Sequence, residues 1–400
     1  MENTSSNELA GQILECCLAG RPWPRTALQQ LLQQATVTAP VEASRALFTK
    51  IVERLGDLFE RRLCDAYAHL FSEVIAYVRP EFTARSLIQR YQWIRAARTA
   101  PENAQNIFVL SRITLGADVA VTSVIFDALK RRYPAATIHL VGPRKNWELF
   151  AADPRIRHYP FTYGRSGTLT ERLSAIPYFP EGLVVDPDSR LSQLGLLPVC
   201  PEENYLFFES RSYGGDGEES LSALTSRWAA ETFGVQGASG YIAPLPVSES
   251  LGVTISLGVG ENQEKRIADP FEELLIAALL ARGHRILIDK GAGGEETERV
   301  ENVLARYPQV NAWQGDYAPF ASRIARSRLY IGYDSAGQHV AAACGVPLVS
   351  IFAGYVSERM FQRWRPTGAG RIEVVKVTDA DPAKVLAQTL ENLPQNPSQT

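Results

Sequence analysis

From Asn106 onward the chain alternates short, almost wholly apolar runs with amphipathic stretches of helical period, and no other feature restricts its fold more. Strands of a parallel sheet are buried on both faces, so they read as continuous apolar runs, with helices filling the crossovers. IFVLSRI, TIHLVG, GLVVD (Gly182 to Asp186) and YLFFES (Tyr205 to Ser210) read as strands, with a helix expected over Asp118 to Tyr133. PLPVSES (Pro244 to Ser250) interrupts the series and reads as a linker. A second series follows: VTISLGV, RILID, the weaker QVNAW, RLYIGYD, PLVSIF and RIEVVKV. Its first helix should be capped by Asp269, start with Pro270, complete a capping box through Glu272 and close at Gly283.

The expected architecture is therefore α/β, with two Rossmann-like parallel-sheet domains, 106–245 and 250–378, facing a cleft, and with a helix and polar tail over 379–400. Four hundred residues are ample for this division. The first 105 residues form a helical extension, whose best segment places Leu47, Ile51, Leu55 and Leu58, then Leu63, Tyr67, Leu70, Val74 and Val78, near one face. Two readings of that face stand: a cap packed on its own chain or on a second copy, or a surface for a partner or membrane.

A formal net charge of -3 gives no electrostatic reason to expect nucleic acid as partner. The five cysteines (Cys16, Cys17, Cys64, Cys200, Cys344) lack metal-ligand spacing and suit free thiols in a reducing compartment. MENTSSNELAG has no basic region followed by an apolar one, and the longest apolar run, His339 to Val356, is broken by Gly345, Pro347 and Gly354. No signal peptide and no membrane span are expected, which leaves a cytoplasmic protein, with peripheral contact at the membrane face as the remaining membrane option.

In such sheets ligands bind beyond the carboxyl ends of the strands, so function should sit in the strand-to-helix turns. In SRITLGADVAVTS, Asp118 stands at a helix start, as an N-cap or as a general base at the cleft edge. LGVGENQEKRIADPFEEL brings Lys265 and Arg266 before a helix, as a solvated basic pair or as a countercharge for a diphosphate. IGYDSAGQHVAAACGVPL gathers Asp334, Ser335, Ala336, Gly337, Gln338 and His339 at a helix start, where free amides and the positive dipole end favour a phosphate. Asp186-Pro187-Asp188 forms a D-x-D pattern that can hold a divalent metal, but its place in the first domain suits a structural or acceptor-side role better. GAGGEE lacks the lysine of a phosphate loop, and its Glu295 or Glu296 would instead meet a donor ribose.

Taken in order, these four motifs resemble glycosyltransferase family 9, the ADP-heptose:lipopolysaccharide heptosyltransferases and relatives, over about Asn106 to Val377. The resemblance implies the GT-B fold and an inverting, metal-independent transfer of heptose or a related sugar from a nucleotide-diphosphate donor, an ADP-sugar by preference. The acceptor would be a glycan or glycolipid of lipopolysaccharide or other surface glycan assembly, and no cofactor is implied. The family's catalytic Asp falls on Asp118, its phosphate-binding lysine on Lys265, and its Asp-(Ser/Thr)-Gly-x-x-His signature on Asp334 to His339, with Ala336 in the usual glycine position. In LVVDPDSRLSQLGLL the family's Asp falls on Asp186, and with Arg190 it is expected on the acceptor side. The helical first hundred residues lie outside the family pattern. They keep two alternatives in view: a non-catalytic sugar-nucleotide-binding protein acting through that region, and a sugar-nucleotide epimerase of related fold.

Overall fold

A computed structural model describes residues 4–174, 177–246, 251–260, 262–291 and 293–394. Two parallel sheets organise the chain. The first holds β1 (Asn106–Leu110), β2 (Thr137–Gly142), β3 (Ile156–Pro160), β4 (Leu183–Asp186) and β5 (Tyr205–Phe207), ordered β3-β2-β1-β4-β5. The second holds β6 (Leu251–Ser256), β7 (Ile286–Asp289), β8 (Asn311–Trp313), β9 (Ser327–Tyr333), β10 (Leu348–Phe352) and β11 (Ile372–Lys376), ordered β11-β10-β9-β6-β7-β8.

Each domain starts on a middle strand, winds to one edge and returns to the other side of its first strand. The winding direction therefore reverses between β1 and β4 and between β6 and β9, and a crevice opens at the carboxyl ends of those pairs. The turns after β1, β4, β6 and β9 are those that carry Asp118, Asp186, Lys265 and Asp334.

Strand β3, IRHYP, does not stand out in the sequence because it pairs only with β2 at the sheet edge and buries only Ile156. The helix expected over Asp118 to Tyr133 begins earlier, at Leu115, passes through a wide π-type turn at Asp118–Thr122 and ends at Arg132. Asp269 does not cap its helix: Pro270 occupies the cap position of Phe271–Ala281, while Asp269 pairs with Arg266. Glu272, freed from any capping box, accepts from the Tyr333 hydroxyl at 3.2 Å and faces Arg266 and Arg299. The linker expected at Pro244 to Ser250 is described only to residue 246, and 395–400 of the polar tail lie outside the described residues.

The helical extension packs on its own chain. Leu47, Ile51, Leu55, Leu63, Tyr67, Leu70 and Val74 are buried in one cluster with Leu110, Val141, Val184 and Tyr205 of the first sheet. Burying each such side chain contributes roughly 1.5 to 3 kcal/mol, which accounts for the fixed docking of the face. Its long helical segment is not continuous: Arg54–Asp57 and Arg61–Val78 are separated by a reversal in which Phe59 adopts φ 54. Among the described residues no helix is long and apolar enough to cross a membrane.

The two sheet domains also pack together. One apolar cluster runs from Val119 and Val121 in the first to Val340 and Ala341 in the second. The helix Glu358–Trp364 adds polar ties, since the buried Arg363 guanidinium donates to the carbonyls of Gly215, Gly217 and Glu219 at 2.7 to 2.8 Å.

Candidate functional site

The turn after β9 opens directly into the helix Ala336–Ala343, whose small, good helix-forming residues allow it to start close to the sheet. Ser335 occupies the cap position in extended conformation but gives no side-chain cap, so the first amides remain open toward the crevice. Lys265 is held at that opening: its Nζ donates to Asp334 Oδ2 at 2.7 Å and to the Asp334 carbonyl at 3.1 Å. The other Asp334 oxygen accepts from Gln338 Nε2, and Gln338 Oε1 in turn accepts from Ser350. Asp334 and Gln338 are buried and act as the brace that aims the lysine.

His339, expected among the phosphate ligands, is buried, and desolvation lowers its pKa to about 4 despite the opposing pull of Asp334. At neutral pH it is therefore an uncharged imidazole that can share a hydrogen bond but brings no cation. Gly337 faces the sheet: a Cβ there would collide with the Tyr330 hydroxyl, so this glycine serves strand-to-helix packing and not approach of a ligand.

The first domain meets this helix at Gly116, where a Cβ would fall 3.2 Å from Ala336 Cα and 3.3 Å from His339 Cδ2. The two expected half-sites thus share one crevice. A cavity of about 490 Å³ lies there, bounded by Thr114, Gly116, Lys145, Arg165 and Ala336.

Asp118, expected as an N-cap or as a general base at the cleft edge, heads the π-type turn Asp118–Thr122. It is fully buried, and Oδ1 accepts from the Arg112 amide (2.8 Å) and Thr122 (2.6 Å), while Oδ2 accepts from Ser111 and Asn146 (2.6 Å each). Burial raises its pKa and the four donors oppose that rise. Asn146 also donates to the carbonyl of Ile113, a β-branched residue at φ 72, so Asp118 sits at the centre of a network that holds a strained turn against the donor helix.

Asp186 is also sealed. It accepts from the Ser189 amide and from the hydroxyls of Ser192 and Tyr205, with its pKa raised to about 6 by burial. Asp188 is held in a two-toothed pair by Arg211 at 2.8 and 2.9 Å. Both carboxylates of the D-x-D pattern thus shape the loop that presents Arg190, and neither faces the crevice.

Arg190 faces a second cavity, about 460 Å³, between the extension and the first domain, together with Arg45, Arg165, Arg172 and Glu53. Four guanidinium groups oppose one carboxylate, which pairs loosely with Arg190 (3.5 Å) and Arg165 (3.7 Å). Arg172 is buried, lies 3.9 Å over the Phe48 ring, and its Nε has no hydrogen-bond partner among the described residues. Sequence reading identified only Arg190 here, because the other three are scattered without fixed spacing. Glu295 and Glu296 line a smaller cavity of about 210 Å³ beside Gly260 and Arg299, with the Glu296 carboxylate wedged under the Gly258 and Gly291 backbone.

Residues 261–390 match the family model for glycosyltransferase family 9 (heptosyltransferase). A stretch of 103 residues is 31% identical to lipopolysaccharide heptosyltransferase 3 of Escherichia coli, covering 25% of this chain and 29% of that protein. The chain thus matches less than a third of the length of that curated relative. Among solved structures, the Escherichia coli heptosyltransferase WaaC with ADP aligns with TM-score 0.54 at 13% identity, over 72% of this chain and 100% of that one. A family 9 glycosyl transferase from Veillonella parvula aligns with TM-score 0.52 at 14% identity, over 76% of this chain and 93% of that one. At such identities the structural likeness shows the fold, two facing Rossmann-like domains, while the family-model match, 261–390, begins within the second domain.

Proposed function

We propose that this chain, which matches glycosyltransferase family 9 over residues 261–390 and shares the heptosyltransferase fold over 72% of its length, is a glycosyltransferase that moves a sugar from a nucleotide-diphosphate donor to an acceptor hydroxyl with inversion. The observation that carries this reading is the uncapped amide end of Ala336–Ala343 with Lys265 fixed beside it, packed against the Gly116 turn beside a cavity that Gly116 and Ala336 both line. As the bond to the diphosphate breaks, negative charge grows on the phosphate oxygens, where the helix dipole and Lys265 are already in place. Because Asp334 and Gln338 hold the lysine before the donor arrives, little reorganisation is needed at that moment. Lys265 and the amides supply the countercharge that a metal supplies in other transferases.

An ADP-sugar, heptose or a relative of it, is the first donor to try, since the similar WaaC structures hold ADP and ADP-2-deoxy-2-fluoro heptose. Glu295 and Glu296 are proposed to face the donor's ribose. On the acceptor side, the excess of arginine around Arg190 favours a glycan or glycolipid bearing phosphate or carboxylate groups, consistent with surface-glycan assembly at a membrane face.

Thermal unfolding with ADP-, UDP- and GDP-sugars, followed by a transfer assay, tests this. A donor at about 100 times its Kd should stabilise the native state by roughly 2.7 kcal/mol. Lys265→Ala should lose most of that stabilisation and lower the transfer rate by about 100- to 1000-fold. A Lys265→Ala protein that binds and transfers as the parent does would remove the proposal's support.

A further inference from the structure

The helical extension completes the arginine cavity of the first domain. One wall comes from the segment Ala46–Glu53 and from Arg45 just before it. The opposite wall holds Tyr163 and Arg165 in the loop after β3, Arg172 in the helix Leu169–Ser174, and Arg190 after β4. The walls are fixed to each other: the Leu169 amide donates to the Ser44 hydroxyl at 2.7 Å, and the Arg172 guanidinium lies 3.9 Å over the Phe48 ring. Tyr163 and Arg165 also line the cavity of about 490 Å³ at Gly116 and Ala336, so the two cavities are neighbours across one loop.

Charge in the arginine cavity is unbalanced. Its lining sets four guanidinium groups against the single carboxylate of Glu53, a formal excess of three positive charges (four less one), and arginine does not shed its proton to relieve it. Glu53 is divided between Arg190 at 3.5 Å and Arg165 at 3.7 Å. Crowding is felt at Arg172, where burial lowers the pKa, Tyr163 and Glu53 oppose that fall, and Arg190 and Arg165 add to it. Two polar atoms of the lining, Arg172 Nε and the Tyr163 hydroxyl, are buried without a hydrogen-bond partner among the described residues. Groups left so are costly, and a ligand that brings acceptors removes the cost.

A carboxylate would bring one charge and two oxygens. A phosphate monoester brings about -1.5 to -2 charges near pH 7 and three acceptor oxygens, which answers both the excess and the number of donors. At about 460 Å³ the cavity is larger than a phosphate needs, and it leaves room beside Thr49 and Tyr163 for the sugar that carries one.

We propose that this cavity binds a phosphate monoester on a sugar of the acceptor, with one wall supplied by the helical extension; its assignment to the acceptor rests on the glycosyltransferase reading above. The phosphate is then held on one side of the Tyr163 to Arg165 loop and the attacking hydroxyl lies on the other, toward the donor. The extension thereby selects phosphorylated acceptors.

Microcalorimetric titration of the full-length protein with glucose 6-phosphate, inorganic phosphate, glucuronate and glucose tests the site, beside Arg45→Ala, Arg172→Met and Glu53→Gln and with melting temperatures recorded. The parent should bind glucose 6-phosphate about tenfold or more tighter than glucuronate or inorganic phosphate, and glucose least of all. Arg172→Met should weaken glucose 6-phosphate about tenfold or more. Arg45 is exposed, so Arg45→Ala should melt as the parent does and still bind several-fold more weakly, by roughly the share of one charged contact. Glu53→Gln removes the opposing carboxylate and should tighten binding several-fold, a gain that structural damage does not produce. Inorganic phosphate bound as tightly as the sugar phosphate reduces the cavity to an ion site and overturns the proposal. So do Arg45→Ala and Glu53→Gln proteins that bind as the parent does; if nucleotide sugars still stabilise the parent, the glycosyltransferase reading survives that result. Phosphate binding at these residues in a protein that no nucleotide sugar stabilises overturns that reading, and the acceptor role with it.

Discussion

Removing the Asp118 carboxylate with Asp118→Ala would strand four donors at once, the Ser111 and Thr122 hydroxyls, the Asn146 amide and the Arg112 backbone N–H. Each buried donor left unpaired costs about 1 to 3 kcal/mol, so denaturant unfolding should show a loss of about 3 kcal/mol or more. That cost reflects a brace. Its role was hidden in the sequence because a cap, a base and a buried brace share one position after a strand, and only burial separates them. The motif located the crevice, since Lys265, Asp334 and Gly116 do converge, but not the exposure of each group. The raised pKa of Asp186, about 6, predicts a pH signature. Its folded pKa lies above the unfolded value, so the native state binds the proton more tightly, and stability from this group falls as pH rises from about 4 to about 6. Two units correspond to roughly 3 kcal/mol at most, by about 1.36 kcal/mol per unit. The difference in unfolding free energy between parent and Asp186→Asn should shift in that window and be flat above it, which cancels the opposing contribution of the buried, neutral His339.

At the scale of elements, Ala336–Ala343 sets helix propensity against packing. On propensity alone Gly337→Ala would stabilise an eight-residue helix by up to about 1 kcal/mol. The new Cβ, however, collides with the buried Tyr330 side chain of β9, and overpacking of that kind costs about 1 to 3 kcal/mol. The expected result is a net loss of stability and weaker donor binding, because the helix must lift from the strand. Substituting Tyr330→Leu in the same protein should recover part of the loss, a coupling that separate substitutions would not show. Strand legibility follows the same logic of burial. β4 and β10 are buried along their whole length and read as strands without ambiguity, whereas β3 exposes most of its residues at an edge and does not. The apolar face of the extension was visible in its helical period. Its partner was not, because Tyr67, Leu70 and Val74 would pack equally well on a second copy, and the sheet face that covers them lies far away in sequence.

For the whole molecule, the question is what keeps two domains and an extension in one arrangement around the crevice. The helix Glu358–Trp364 touches all three parts: Arg363 ties it to the Gly215 to Glu219 carbonyls of the first domain, and Arg359 and Trp364 tie it to Phe59. It also carries the backbone that accepts from Gln338 beside the donor site. Relative motion of the sheet domains therefore has to strain the Arg363 bonds, while the apolar cluster from Val119 to Val340 acts as the pivot. Arg363→Met keeps much of the buried volume but removes all three bonds and leaves three carbonyls unpaired. The expected cost is about 2 to 4 kcal/mol, with the interface loosened more than either domain. Small-angle scattering should report a larger radius of gyration for the variant, and limited proteolysis faster cleavage in the 214–219 loop, both reversed by a saturating donor that draws the domains together. A variant as compact and as protease-resistant as the parent would mean that the apolar contact alone fixes the arrangement, and that the polar ties of Glu358–Trp364 only align the Phe59 reversal with the crevice.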